Sequence, residues 1–537
     1  MIAPLGRVLI LLALFFATTG AAAGFWSGAR RSAEAWRWTR WCTWGFAVSM
    51  ISANFLMVYA LLTHDFSVGY VAQVGSLSTP DWVTIVSLWS SLEGSILFWG
   101  AVMAIYIAAA VSIFKHREST MAPYATGVWL SSAAFFSFLI AGPAQPFGTV
   151  SPVPTDGPGP NPLLQNHYLM AIHPPLLYLG YVGMVIPFGL ASAALLEGRL
   201  GPRFAATIRK SLLLPWIFLG VAIVMGGWWA YEVLGWGGYW AWDPVENASF
   251  LPWLTATAAL HSAIVMERKQ ALKAWTLTLV MATFLLVILG TFMTRSGVFN
   301  SVHSFTQSSI GPTILVFLAA ALVWTIVLLA VRIDHLSERR EIGDPLSREG
   351  AFLLNNLLFV LFTLTVLIGT VFPLVVEAVK GAQMSVGRPY FDRMAVPIGV
   401  TLLFLMGVGP ALPWGRTSGR EAAKRLAIPL ISGGFALAIG LALGIRNGWT
   451  LVTIFFGGYT IWVTFHQMLL PGLRAAASRR GSIGSILVSQ LGPGRRRLGA
   501  YVAHLGIVVM IVAIAVSSTQ SRTVESMMSP GESIGIG

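Results

Sequence analysis

Nine histidines are spread along this 537-residue sequence, and several stand where an imidazole nitrogen could hold an iron. His261 precedes Glu267 by six residues, and His504 comes seven residues after Arg497, on apolar runs that point in opposite directions. At ~1.5 Å of helix per residue, both lie ~10 Å from a charged end. Two imidazoles at one level match the axial ligation of a b-type haem, whose iron takes one nitrogen from each side. His466, eight residues before Arg474, sits at a similar depth, and spacing does not choose between it and the other two. The plainer reading of each is a histidine hydrogen-bonded to a neighbouring helix. His173 and His303 share a second level, at the opposite ends of such runs. Arg295, in Thr294-Arg295-Ser296-Gly297, could meet a haem propionate through a charge-assisted bond, or could simply snorkel to an interface. His64, His116, His167 and His335 read as solvated, with His167 kept in view for its nearness to His173.

A second chemistry-bearing stretch is the segment 226–253, which holds six tryptophans among its 28 residues. Read as an outer loop, it runs WGGYWAWDPVENASFLPWL from Trp236 onward. An interfacial aromatic belt explains some tryptophan but not this density. Glycines at 235, 237 and 238 let the backbone turn or approach a flat ligand, and Asp243, Glu246 and Asn247 add polar groups among the rings. The segment therefore reads as a ligand platform or a specific fold element, and the candidate platform residues are Trp228, Trp236, Gly237, Gly238, Tyr239, Trp240, Trp242, Asp243, Pro244, Glu246 and Asn247. A further outer loop, 142–173, is rich in proline and ends in Ala171-Ile172-His173-Pro174-Pro175.

The elements that carry these residues must be membrane helices. The chain is 56% hydrophobic and 10% charged, with mean hydropathy +0.73, so water is not its main solvent. Runs long enough to cross ~30 Å of hydrocarbon fall near 8–25, 42–62, 94–114, 122–141, 174–196, 211–231 and 248–266, then 274–294, 310–331, 351–373, 395–413, 426–444, 449–470 and 499–517. The expectation is all-α: a polytopic bundle of about 14 transmembrane helices forming a single membrane domain over 1–537. The net charge of +13 is explained by where the bases lie. With the N-terminus outside, 27 of the 34 Lys and Arg residues fall in one set of alternate loops, the pattern of the positive-inside rule, so the charge calls for no nucleic acid. Arg7 precedes the first run and four arginines come after it, which favours a retained helix over a cleaved signal. Cys42 is the only cysteine; the chain forms no internal disulfide and carries no CxxCH of its own. The charged stretch 334–350 reads as a solvated connection.

The tract WGGYWAWDPVENASFLPWL closely resembles the tryptophan-rich WWD signature of haem-handling membrane proteins, and specifically that of the CcmF family, a subunit of the system I cytochrome c haem lyase. The resemblance extends over most of the chain through Asp65-Phe66-Ser67-Val68 with Tyr70-Val71-Ala72, Glu93-Gly94-Ser95, Ala171-Ile172-His173-Pro174-Pro175, Thr294-Arg295-Ser296-Gly297 with Ser301-Val302-His303, and Ala503-His504-Leu505-Gly506. It implies that His261 and His504 hold a resident haem b, which sets His466 aside, and that His173 and His303 ligate the haem being delivered. It implies attachment of haem vinyl groups to CxxCH thiols of apocytochrome c at the outer face of a bacterial inner membrane. The chaperone CcmE would supply the haem and CcmH would present the apocytochrome, with quinol as a possible reductant through the b haem. Two departures stand out: Leu92 occupies the place of a family histidine before Glu-Gly-Ser, and 518–537 reads as the start of a longer outer segment.

Other readings compete with this one. A haem transporter or loader of the shorter CcmC type would share the tryptophan tract, but the length and the His261/His504 pair argue against it. A quinone-reactive membrane subunit would share the helices, but it predicts neither the tract nor the histidines paired by depth.

Overall fold

The computed structural model describes residues 1–114, 120–162, 167–198, 200–233, 238–299, 310–336, 344–382, 384–477, 494–521, 524 and 526–535. Among them, fourteen helical spans are long and apolar enough to cross a membrane. The chain is a multi-pass, all-helical membrane protein, and each expected apolar run has its helix.

The helices are, in chain order, α1 (Ile2–Arg30), α2 (Ala33–Leu62), α3 (Gly69–Val74), α4 (Asp81–Val86), α5 (Leu92–Phe114), α6 (Ala122–Ala141), α7 (Leu169–Gly183), α8 (Val185–Glu197) and α9 (Pro202–Val233). Then come α10 (Pro244–Lys269), α11 (Lys273–Arg295), α12 (Gly311–Val331), α13 (Ile333–Leu336), α14 (Arg348–Lys380), α15 (Arg388–Ala411), α16 (Gly419–Ala442), α17 (Gly448–Ala477) and α18 (Arg495–Gln520). The span Leu169–Glu197 comprises α7 and α8, which meet at Met184.

Two compact units divide the chain: residues 1–341 with 359–391, and residues 342–358 with 392–537. In the first, α1 packs on α2 and α6, α7 on α9, α9 on α10, and α10 on α11. Its core is aromatic and sulfur-rich, with Trp129, Tyr70, Phe46, Phe147, Met50 and Met57 fully buried. In the second, α16 packs on α17 and α17 on α18 around buried Tyr459, and the Thr450 and Thr519 hydroxyls meet at 2.9 Å. Exposed faces are as apolar as interiors: Val316, Val323, Ile326 and Val331 of α12 lie open. That pattern suits a hydrocarbon solvent and would be a liability in water.

The segment 226–253 differs from its reading as a loop. α9 continues to Val233 and α10 begins at Pro244, so most of the stretch is helix. The cause is local. Asp243 caps α10 by accepting from the Val245 amide at 2.9 Å, Glu246 reaches back to the Asp243 amide at 3.1 Å, and Pro244 takes the first helical position, where its missing N–H is no loss. The loop 142–173 likewise ends early, because α7 already contains Leu169 to His173.

Short elements join the loops at one end of these helices. The Tyr70 hydroxyl of α3 donates toward the carbonyls of Ser87 and Leu88 at 2.7 and 3.0 Å and accepts from the Ser91 amide at 3.3 Å; burial pushes its pKa up. Gly94 lies against the same ring, where an added Cβ would collide with the Tyr70 ring and the Leu88 carbonyl oxygen. The motifs around Tyr70 and Glu93 are therefore halves of one packed corner.

Candidate functional site

His173 lies in the second turn of α7, and the proline next to it shapes its surroundings. Pro174 has no N–H to give the Met170 carbonyl, which instead accepts from the Trp89 indole at 3.0 Å. The first turn of α7 is thereby pinned beside Trp229 of α9, together with Val83 and Val86 of α4. The His173 ring crosses to α9, where Nδ1 meets the Ala222 carbonyl at 2.9 Å and Trp229 lies 5.6 Å away between centroids. A carbonyl only accepts, so this contact puts a proton on Nδ1, and in the neutral ring the lone pair is then on Nε2, one of the two nitrogens by which histidines bind metals. The ring fits because position 226 has no side chain: an added Cβ would come within 2.8 Å of His173 Cε1.

Arg295 ends α11 and donates to the Tyr178 hydroxyl at 2.8 Å. Tyr178 belongs to α7, so the structure ties Arg295 to the helix of His173. His303 lies outside the described residues, as do Trp236 and Gly237.

The described part of the tryptophan tract is chiefly architectural. Trp242 has φ 59°, in the left-handed region that favours glycine. It is held there by stacking on Phe391 at 5.1 Å and 12°, and by the Asn247 amide donating to its carbonyl at 2.9 Å. The same Asn247 nitrogen reaches Thr370 Oγ1 at 2.9 Å. Glu246 accepts from the amides of Ala241 and Asp243 at 2.9 and 3.1 Å. Asp243, Pro244, Glu246 and Asn247 thus build the start of α10. Trp240 stands edge-on to Trp242 at 5.9 Å, half-buried like Gly238 and Tyr239. The Tyr239 carbonyl approaches Gly227 of α9, and Trp228 is open to its surroundings.

His167 departs from its solvated reading. Its side chain is 13% exposed, and its Nε2 pairs with Glu232 near the end of α9. Nδ1 accepts from the Leu169 amide at 3.3 Å, so Nε2 carries the proton. Glu232 also accepts from the Trp228 indole at 2.6 Å, which joins the start of α7 to the tryptophan end of α9. Glu232 was invisible to sequence reasoning because its partner lies 65 residues away. His64 is half-buried too, with Nε2 buried and its ring 6.1 Å from Phe66.

His261 sits in α10 of the first unit, half-buried, its ring 6.2 Å from Phe359 and nearly parallel to it at 28°. His504 sits in α18 of the second unit, half-buried, 6.4 Å from the Tyr501 ring. His466 is exposed on α17. Among the described residues no group of three or more His, Cys, Asp or Glu side chains could hold a bare metal ion. His261 and His504 each stand on an apolar helix, in different units of the chain.

Residues 89–299 match the family described as Cytochrome C assembly protein. The cytochrome c-type biogenesis protein CcmF of Pseudomonas aeruginosa is 37% identical over 545 residues, covering 100% of this chain and 80% of that protein. The CcmF of Escherichia coli is 36% identical over 540 residues, covering 100% of this chain and 81% of its own length. A solved structure titled Cytochrome c Heme Lyase CcmF superposes with a TM-score of 0.79 at 34% identity, over 97% of this chain and 77% of that one.

Proposed function

This chain belongs to the CcmF family of cytochrome c-type biogenesis proteins, and from that premise we propose that it attaches haem to apocytochrome c at the outer face of a bacterial inner membrane. In this reading haem arrives on the chaperone CcmE, and CcmH presents the apocytochrome. Each CxxCH thiol adds across a haem vinyl group: the sulfur bonds to the inner vinyl carbon, the proton goes to the outer one, and nothing is oxidised. His173 Nε2 and His303 take the iron of the haem being delivered, Arg295 meets a propionate, and the aromatic ledge around Trp228 and Trp240 receives the flat macrocycle.

His261 and His504 would hold a resident haem b, and that group would supply one-electron reducing chemistry for the delivered iron, with quinol as the electron source. The residues' own work is to present imidazole nitrogens, exclude water and fix the substrate.

The observation that carries this reading is the His173–Ala222 contact, which prepares Nε2 as a ligand on a helix joined to Arg295. The test is spectral and functional together. His173→Ala is expected to abolish holocytochrome formation while purified protein keeps a reduced b-haem spectrum, and His261→Ala or His504→Ala to lose that spectrum. Normal maturation in His173→Ala would overturn the reading.

A further inference from the structure

At the opposite, basic end of the first unit, the turn from α1 to α2, the start of α6 and the end of α8 line an open-sided cavity of about 190 Å³. Its polar lining is Ser27, Arg31, Ser32, Thr120 and Glu197, with Trp36 forming an aromatic wall. Glu197 Oε2 is buried and has no hydrogen-bond partner among the described residues. Arg31, exposed, lines the same space and makes no ion pair with another described residue.

Two opposite charges that share a cavity without touching are poorly placed for each other, because a buried carboxylate oxygen needs a donor. They suit a third body that carries both signs. The turn is fixed in advance: Ser27 Oγ donates to the Ser32 carbonyl at 2.9 Å, Ser32 caps α2 at the Ala35 amide, and Arg31 is held at φ 54°. The basic end is the inner side under the positive-inside reading, so headgroups of the inner leaflet lie at this depth.

We propose that this cavity binds the headgroup of a primary-amine phospholipid, with the phosphodiester on the Arg31 guanidinium and the ammonium donating to Glu197. A guanidinium fork matches phosphate oxygens, and a primary ammonium has the N–H bonds that Glu197 lacks. A trimethylated headgroup carries the same charge but no donor, so the site separates the two.

The test uses the full chain purified in detergent, incubated with mixed micelles of phosphatidylethanolamine, phosphatidylcholine or phosphatidylglycerol, with retained lipid counted by native mass spectrometry. Phosphatidylethanolamine is expected to be retained about tenfold over phosphatidylcholine, the scale of one charge-assisted hydrogen bond. Glu197→Gln should erase that preference, and Arg31→Gln should lower retention of both. Equal retention of the two lipids by the unaltered protein, a comparison that needs no variant, overturns the proposal. So does a preference that survives Glu197→Gln, or displacement of the lipid by equimolar free phosphoethanolamine, which would mark a site for the soluble headgroup alone.

Discussion

Arg295 donates a hydrogen bond to the hydroxyl of Tyr178 at 2.8 Å, so the last residue of α11 is tied to the helix that carries His173. Tyr178 is buried, with Phe98 and Trp99 edge-on at 5.4 and 5.8 Å, so its ring is positioned independently of the hydroxyl. Tyr178→Phe should therefore keep the packing and remove only the bond, with a stability loss of about 1–2 kcal/mol. In the proposed reading, haem attachment is expected to fall several-fold with the b-haem spectrum intact. Unchanged attachment in a folded variant would show that Arg295 needs no such anchor.

Gly226 gives the His173 ring its place against α9, and an alanine there would set a carbon 2.8 Å from Cε1. In an open helical position the same change stabilises by about 0.5–1 kcal/mol, and Gly434→Ala on α16, with nothing within 4 Å, is the control. Gly226→Ala should leave thermal stability within about 1 kcal/mol of the parent, the helix gain offsetting the contact. Holocytochrome yield should drop at least tenfold as the imidazole is displaced. Parental yield would mean that the ring has room to turn.

Asp243 and Glu246 close the start of α10, a structural duty that predicts a loss of stability when either is removed. Asp243→Ala should destabilise by about 0.5–2 kcal/mol, as loss of an N-cap does. Asn247→Ala removes donors to the Trp242 carbonyl and Thr370, and about 1–3 kcal/mol is expected for such a buried group. Thermal unfolding monitored by intrinsic fluorescence checks both. A haem-binding defect with no change in unfolding would instead assign these side chains to the ligand.

Asp156 accepts from the amides of Leu77 and Gly157, both at 2.8 Å, and these bonds hold its carboxyl below the usual carboxylate range. A depressed folded value means that the stability it adds is present above the unfolded pKa, ~3.9, and is lost as pH falls through the folded value. The clasp between these two loops should hold through neutral pH and loosen only below about pH 4. Hydrogen exchange at Leu77 and Gly157 reports it directly. Asp156→Asn keeps an acceptor without the titration and should exchange independently of the carboxylate's protonation; an acid-dependent step that persists in it would sink the assignment.

The membrane helices were legible because an apolar run of membrane-spanning length is a signal in composition alone, and each of the fourteen runs has its helix. The tryptophan tract misled about its own conformation. Gly226 and Gly227 look like loop residues, yet inside α9 they are gaps into which His173 and the Tyr239 carbonyl fit. What stayed hidden is what distance along the chain conceals: Tyr178 as the partner of Arg295, and Glu232 as the partner of His167, share no periodic spacing with their partners. His173 could be chosen from its type and place at a helix edge, but its tautomer is set by Ala222, which no motif marks.

Glu232 accepts from two donors that belong to different helical ends, the His167 imidazole at the start of α7 and the Trp228 indole on α9. Removing the carboxylate strands both donors, and a glutamine in its place offers one acceptor oxygen for two. Glu232→Ala should release Trp228 and the first turn of α7, speeding hydrogen exchange at Leu169 and lowering haem attachment about tenfold; Glu232→Gln should fall between it and the parent. His167→Gln retains a side-chain donor toward Glu232 and should lose less than His167→Ala. This ordering separates a positioning role from bulk destabilisation, because the b-haem spectrum, which depends on His261 and His504 in the proposed reading, should stay constant across all four variants. If attachment is lost equally in the glutamine and alanine variants and the b-haem spectrum falls with it, the pair serves the fold as a whole and does not aim His173.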